Sequence, residues 1–133
     1  METRLMPSPR EAAILDTDEM RATFLLDELF VSGEVGLIYT DLDRAIVGSV
    51  IPTTKALELG NDDALKADFF CQRRELGILN IGEAGTVTVD GTVYEIAKHD
   101  CLYIGRGSKE ISFQSASAAD PAGAPVRRPR LTT

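Results

Sequence analysis

The sequence predicts a mainly β protein, an antiparallel β-sandwich or barrel with one short N-terminal helix. Short runs rich in β-branched and aromatic residues follow one another from Val35 onward, and glycine- or aspartate-containing turns separate them. No stretch with helical periodicity lies between these runs, so the helical crossovers of a parallel sheet are not expected. The chain has 133 residues, a length that suits one domain.

The helix is predicted from about Thr17 to Leu29. Asp16 is a favourable N-cap, Glu19 completes a capping box, and apolar residues recur behind them at helical spacing. Ser32-Gly33 is expected to end this segment. Residues 1–15, which contain two prolines, are expected to form a loose N-terminal arm.

Nine strands are predicted, and the strongest turn signal lies between the sixth and the seventh. There Asp90-Gly91 favours a type I′ turn, which needs positive φ at both central residues. Val87 and Val89 alternate with polar residues and are expected to share one face of their strand. The predicted strands are Val35 to Thr40, Arg44 to Ile51, Thr53 to Leu59, Lys66 to Gln72, Glu75 to Ile81, Thr86 to Val89, Thr92 to Ile96, Cys101 to Ile104, and Glu110 to Phe113.

The composition changes at the C-terminal end of the chain. Residues 115–133 are mostly small or polar and contain prolines, so they cannot bury enough apolar surface to offset the entropy of ordering. We therefore expect residues 16–114 to be the folded domain and residues 115–133 to be a linker-like or disordered tail.

The net charge and the apolar runs argue against nucleic-acid binding and membrane association. The net charge is −7, with 14 basic and 21 acidic residues, which argues against nucleic-acid binding. No apolar run is long enough to cross a bilayer and no secretory signal is evident, so no membrane association and a cytoplasmic location are expected. Cys71 and Cys101 do not form a CxxC pair, and both are expected to be buried free thiols. A disulfide between them is the alternative, because the sequence does not give their Cα separation.

Few residues carry the signature of catalysis. A metal site needs several converging His, Cys or carboxylate ligands, but His99 is the single histidine and is expected at the surface of a turn. His99 and Cys101 are two residues apart and would share a face of an extended strand, so a thiol–imidazole dyad is an alternative. The glycine-rich segment from Gly105 to Lys109 lacks the spacing of a phosphate loop and is expected to connect two strands. Glu75 is expected to pair with Arg73 or Arg74.

The stretch from Phe69 to Phe113 resembles the cupin layout without its metal ligands. Glu75 stands where the motif glutamate of a cupin belongs, but the preceding residues Asp68 to Cys71 include no histidine. Asp100 fits the Gly-Asp step without its glycine, and Glu110 lies near the position of the last histidine. The resemblance implies a jelly-roll barrel, that is, a degenerate cupin domain.

A more specific resemblance covers about Leu15 to Phe113. The chain resembles the N-terminal half of the 5-keto-4-deoxyuronate isomerase (4-deoxy-L-threo-5-hexosulose-uronate ketol-isomerase) family, a two-cupin family. The matching motifs are Asp43-Arg44, Ile46-Val47-Gly48, Pro52-x-Thr54-Lys55, Arg73-Arg74-Glu75-Leu76-Gly77, Asn80-Ile81-Gly82, Ala84-Gly85-Thr86, Val89-Asp90-Gly91, Tyr94-Glu95-Ile96, Leu102-Tyr103, Gly105, Gly107 and Lys109-Glu110.

This resemblance implies a function for the longer family proteins. They convert 4-deoxy-L-threo-5-hexosulose-uronate to 3-deoxy-D-glycero-2,5-hexodiulosonate in pectin and uronate breakdown, assemble as homohexamers, and bind zinc through residues of their C-terminal cupin. No residue of this chain matches those ligands, so no catalytic, cofactor-binding or metal-binding residue is assigned and the chain alone is expected to be inactive. A truncated product, a stand-alone first domain and a frameshifted product are all compatible with the sequence.

The alternative is a metal-free cupin domain with an oligomerisation or sugar-binding role. Arg73, Arg74 and Lys109 are then the candidates for contact with the carboxylate of a small sugar acid, because arginine and lysine donate charge-assisted hydrogen bonds to carboxylates.

Overall fold

Two β-sheets face each other in the computed structural model, which describes residues 1–117 and the backbone of residues 131 and 132. The prediction of a mainly β, cupin-like antiparallel sandwich is confirmed. The helices are α1 (Pro9–Ala12), α2 (Thr17–Phe24) and a 3₁₀ turn (Asp63–Leu65). The strands are β1 (Glu2–Arg4), β2 (Val35–Thr40), β3 (Ile46–Val50), β4 (Leu57–Glu58), β5 (Leu76–Asn80), β6 (Gly85–Val89), β7 (Thr92–Ile96), β8 (Cys101–Ile104), β9 (Ile111–Ser115) and β10 (Leu131–Thr132).

The first sheet has six strands in the order β1-β2-β3-β10-β5-β8, and the second has four in the order β4-β9-β6-β7. Every pairing is antiparallel except that of β1 with β2. The core lies between the sheets because alternate residues of each strand point inward. Ile78 of β5, Val87 of β6 and Phe113 of β9 are fully buried in it, and Val89 packs against it from the same face as Val87.

The β6–β7 hairpin has the turn that its sequence predicts. Asp90 has φ 48° and Gly91 has φ 85°, both in the left-handed region that a type I′ turn requires. The Asp90 carboxylate also accepts hydrogen bonds from the backbone N–H groups of Lys109 (3.0 Å) and Glu110 (2.8 Å). The turn therefore also fixes the start of β9.

Helix α2 begins as predicted but ends earlier. The capping box of Asp16 and Glu19 is present, yet the helix stops at Phe24 rather than Leu29. Leu29 is buried, and its carbonyl oxygen accepts a hydrogen bond from the Ser49 hydroxyl. The same carbonyl oxygen lies over Gly36, so that a Cβ added at Gly36 would be 3.0 Å from it. The chain that follows Phe24 turns and lays this carbonyl over the sheet, so tertiary contacts override the helical pattern.

The strand predicted from Lys66 to Gln72 is wrong. Lys66 adopts φ 49°, and the Gln72 side chain accepts from the backbone N–H of Asp68 (2.8 Å) and donates to its carboxylate (3.1 Å). Phe70 and Cys71 are nevertheless buried, so this apolar run fills the core as a loop. A short apolar run has no periodicity that separates a strand from a buried loop. The neighbouring strand predicted from Thr53 to Leu59 is reduced to the two residues of β4.

The N-terminal arm is attached rather than loose. β1 extends the first sheet, the Met1 ammonium lies 3.0 Å from the Asp62 carboxylate, and Ser8 caps α1.

The prediction of a linker-like or disordered tail falls mainly outside the described residues, which exclude 118–130 and 133. Among the described residues of the predicted tail, Ser115 is the last residue of β9, and Leu131–Thr132 form β10 between β3 and β5. Among the helices of the described part of the chain, none is long and apolar enough to cross a bilayer.

Candidate functional site

The three candidate carboxylate-binding residues lie in two separate clefts or on the open surface. Arg74 is partly buried and its guanidinium lies 5.8 Å from the centre of the Phe70 ring. Lys109 is exposed and its ammonium lies 5.9 Å from the centre of the Phe69 ring. Arg73 is exposed. The sequence therefore grouped residues that the fold separates.

The first cleft lies between the start of β3 and the start of β5 and has a volume of about 240 Å³. It brings together Arg44 and Arg74, which are thirty positions apart in the chain, with Glu75 at its rim. The sequence alone does not mark Arg44 as a site residue, because only the packing of distant elements places it in the same cleft as Arg74. Its lining comprises Arg44, Ala45, Ile46, Phe70, Arg74, Glu75, Leu76 and Gly77.

Glu75 does not form the expected ion pair with Arg73 or Arg74. In residues 1–117 the ion pairs within 4.0 Å are Met1–Asp62 and Arg4–Glu2. Instead, Tyr103 hydrogen-bonds to Glu75, and this bond raises the pKa of the Tyr103 phenol. The two residues meet because Tyr103 pairs with Gly77 across β5 and β8.

The second cleft, of about 340 Å³, lies beside the β6–β7 turn. Lys109 lines it together with the carboxylate-bearing residues Glu58 and Glu110. Two carboxylates around one ammonium make this cleft less favourable for an anion than the first.

The cysteines differ in their surroundings, and both are free. Cys71 is buried, and burial raises the pKa of its thiol. Cys101 is exposed on β8, so the prediction that both thiols are buried is wrong. Edge strand β8 turns alternate side chains away from the core, and Cys101 falls on the outer face.

His99 lies in an exposed turn, as predicted, with φ 70°. Its backbone N–H donates to the carbonyl of Asn80 at 2.6 Å, and the described residues include no hydrogen bond between the side chains of His99 and Cys101. The alternative of a thiol–imidazole dyad gains no support from this arrangement.

The positions that correspond to cupin ligands have structural roles. The Asp100 carboxylate accepts from the backbone N–H of Ala97 at 2.8 Å and so closes the turn before β8. Glu110 is held through its backbone N–H by Asp90. Within residues 1–117, no group of three or more His, Cys, Asp or Glu side chains is arranged to hold a metal ion.

Asn80 is the buried polar residue that sequence reasoning missed. Its side-chain amide donates to the carbonyls of Glu83 (2.8 Å), Ala97 (3.1 Å) and Ile96 (3.3 Å), and its side-chain oxygen accepts from the N–H of Gly82 (3.0 Å). Asn80 is fully buried at the end of β5 and ties that strand to both flanks of the β6–β7 hairpin. An Asn-x-Gly motif was visible in the sequence but carried no indication of burial.

The chain is similar to several curated 4-deoxy-L-threo-5-hexosulose-uronate ketol-isomerases, although no family model matches it. It is 48% identical over 122 residues to that of Lachnoclostridium phytofermentans and 45% identical over 122 residues to that of Halalkalibacterium halodurans. Each match covers 92% of this chain but 44% of the relative, so the chain spans under half the length of these relatives. The Escherichia coli SE11 protein of that name is 44% identical over 124 residues, with 45% of its length covered.

A solved cupin protein from Bacteroides fragilis is also similar in structure, with a TM-score of 0.38 and 15% sequence identity. The likeness covers 65% of this chain and 59% of the cupin chain.

Proposed function

We infer that this chain, a member of the 4-deoxy-L-threo-5-hexosulose-uronate ketol-isomerase family that corresponds to the N-terminal half of its relatives, acts as the N-terminal scaffold of such an isomerase. The observation that carries this proposal is the 48% identity over 92% of the chain, together with coverage of 44% of the relative. Identity at this level along nearly the whole chain is expected for a shared domain in a shared role.

We propose that the isolated chain does not catalyse the isomerisation. A ketol-isomerase must move a proton between adjacent carbons, which needs a positioned base, and a metal can hold the sugar oxygens during this step. The zinc implied by the family does not fit this chain, because the full sequence has a single histidine and the described residues present no converging ligand set. The chemistry therefore belongs to the part of the relatives that this chain does not cover.

A chimera tests the scaffold role. The matching 44% of the Lachnoclostridium phytofermentans protein is replaced by this chain, and turnover of 4-deoxy-L-threo-5-hexosulose-uronate is measured. We expect the chimera to be active and both this chain alone and the relative's remaining portion alone to be inactive. A folded but inactive chimera would count against the scaffold role, and turnover by the isolated chain would contradict the second proposal.

Self-association is a second candidate function that helix α2 favours. The helix is well capped, yet none of its residues is buried, and Met20 and Phe24 are 42% and 51% exposed. An isolated helix of this length is marginal in water and usually depends on packing of its apolar face. We propose that a second copy of the chain covers this face, in line with the expected homo-oligomer.

Sedimentation at several concentrations tests self-association. We expect the unmodified chain to form an oligomer and Phe24→Asp to shift it towards monomer, while Asp18→Asn on the polar side of the same helix leaves the distribution unchanged. A monomer at all concentrations for the unmodified chain would contradict this proposal.

We also propose a cytoplasmic location. The free state of Cys71 and Cys101 supports it, because thiols persist in reducing compartments.

A further inference from the structure

We propose that the cleft lined by Arg44 and Arg74, here called the Arg44–Arg74 cleft, binds the carboxylate of a small sugar acid. The choice of a sugar acid among carboxylates rests on the proposed function, whereas the choice of a carboxylate rests on the geometry of the cleft. The cleft belongs to the N-terminal half of the family proteins, and none of its lining residues is an expected ligand of the zinc of that family.

The two guanidinium groups have donors to spare. Within residues 1–117, Arg44 and Arg74 form no salt bridge within 4.0 Å, and neither guanidinium donates a hydrogen bond to another described residue. Each guanidinium is a planar fork of N–H donors that matches the two oxygens of a carboxylate. Two such forks beside one cleft favour an anion with planar, bidentate acceptors, even though the net charge of the chain is −7.

Arg74 is held in position before any ligand arrives. Its guanidinium lies over the ring of Phe70, which is 5% exposed and packed in the core. Cation–π contact with a fixed ring restricts the long side chain, so less conformational entropy is lost when a ligand binds.

Arg44 is placed by an unusual turn. Asp43 and Arg44 both have φ 53° in the β2–β3 connection, and the N–H of Thr40 bonds to the carbonyl of Ala45 at 2.9 Å. Glycine or asparagine would adopt this left-handed backbone more easily than arginine. The arginine at this position is therefore explained better by its side chain than by the requirements of the turn.

The remaining lining suits a ligand that also carries hydroxyl groups. Glu75 lines the cleft, and its carboxylate can accept hydrogen bonds from such hydroxyl groups. Gly77 leaves open space, since an added Cβ would meet no atom within 4 Å. The volume of about 240 Å³ lies just below the range of about 300–1,000 Å³ typical of drug-sized sites, which fits a small acid. The Glu75 carboxylate repels any anion, but a sugar acid can offset this repulsion through several hydroxyl donors, whereas phosphate has fewer donors and a higher charge.

Binding to the full chain can be followed by two-dimensional NMR and by calorimetry. The probes are D-galacturonate, its methyl ester, which lacks the charged carboxylate, and inorganic phosphate. We expect saturable shifts at the amides of Ala45, Arg74 and Gly77 with galacturonate, and at least about tenfold weaker binding of the ester.

Three arginine-to-glutamine substitutions each remove one positive charge, two inside the cleft and one outside it as a control. Arg44→Gln and Arg74→Gln should each weaken galacturonate binding by at least about tenfold. Arg73→Gln, which removes an exposed neighbour outside the cleft, should change it by less than about twofold. Glu75→Gln removes a charge that repels both anions, but it also weakens an acceptor for the hydroxyl groups of galacturonate, so binding of phosphate should strengthen more than binding of galacturonate. Circular-dichroism melts confirm that each variant folds.

Several outcomes overturn the inference. These are equal binding of acid and ester, an Arg73→Gln effect as large as that of Arg74→Gln, tighter binding of phosphate than of galacturonate, and the absence of saturable shifts at the cleft. Binding at the cleft and the scaffold role can fail independently of each other. An active chimera without binding at the cleft would remove only this inference, and cleft binding with an inactive chimera would remove only the scaffold role.

Discussion

Replacing Asn80 by alanine should lower the free energy of unfolding by about 3–6 kcal/mol. The amide carries two hydrogens, which are shared among three carbonyl oxygens at 2.8–3.3 Å, and the side-chain oxygen accepts one N–H. The substitution thus removes about three hydrogen bonds from a site with no exposure. A buried polar group left without a partner costs about 1–3 kcal/mol, so the total approaches the lower end of the stability of a whole domain.

Asn80→Asp keeps the size of the side chain and changes only its hydrogen-bonding character. An ionised carboxylate cannot donate to three carbonyls, so this variant should be strongly destabilised at neutral pH. Burial beside acceptors raises the folded-state pKa of the introduced carboxyl above its unfolded value. Its stability should therefore be highest below the unfolded pKa, where the protonated form can donate, and should fall as pH rises through the folded pKa.

Urea unfolding followed by circular dichroism measures these effects, with the slope of the transition checked for each variant. Asn61→Ala is the matched control, because Asn61 donates a single hydrogen bond, to the carbonyl of Ala67, from an exposed position. It should cost less than about 1 kcal/mol. A loss below about 1 kcal/mol for Asn80→Ala, or a pH-independent defect for Asn80→Asp, would refute the reasoning.

Three further predictions concern packing, thiol reactivity and acid stability. Gly36→Ala should destabilise the chain by about 1–3 kcal/mol in the same urea assay, because its Cβ would lie 3.0 Å from a backbone carbonyl, whereas Gly77→Ala meets open space and should be tolerated. A thiol reagent should label Cys101 rapidly and Cys71 only on unfolding, since burial raises the pKa of the Cys71 thiol; equal rates would contradict this. A hydrogen bond from the backbone N–H of Ala64, and next the Met1 ammonium, lower the pKa of the Asp62 carboxyl. The contribution of ionised Asp62 to the stability of the fold is therefore present above its unfolded-state pKa and is lost as the pH falls through its folded-state pKa. Acetylation of the N-terminus removes the ammonium charge and should raise the pKa of Asp62 in an NMR titration.

The sequence determined those features whose causes are local. The capping box of α2 depends on residues three apart, and the β6–β7 turn depends on Asp90-Gly91 alone, so both were predictable. The alternation of Val87 and Val89 likewise follows from the geometry of a single strand. The similarity to the uronate ketol-isomerases also lay in the order of the motifs and needed no coordinates.

The tertiary structure decided what depends on contacts between distant residues. The helix ends at Phe24 because the later Leu29 carbonyl meets Ser49, and Cys101 is exposed because it lies on the outer face of β8. Arg44 and Arg74 line one cleft because β3 and β5 both pair antiparallel with β10 and therefore begin at the same end of the first sheet. A sequence pattern reports the periodicity of each element, but burial and proximity arise from the packing of all elements together, and that packing alone brings the two arginines into one site.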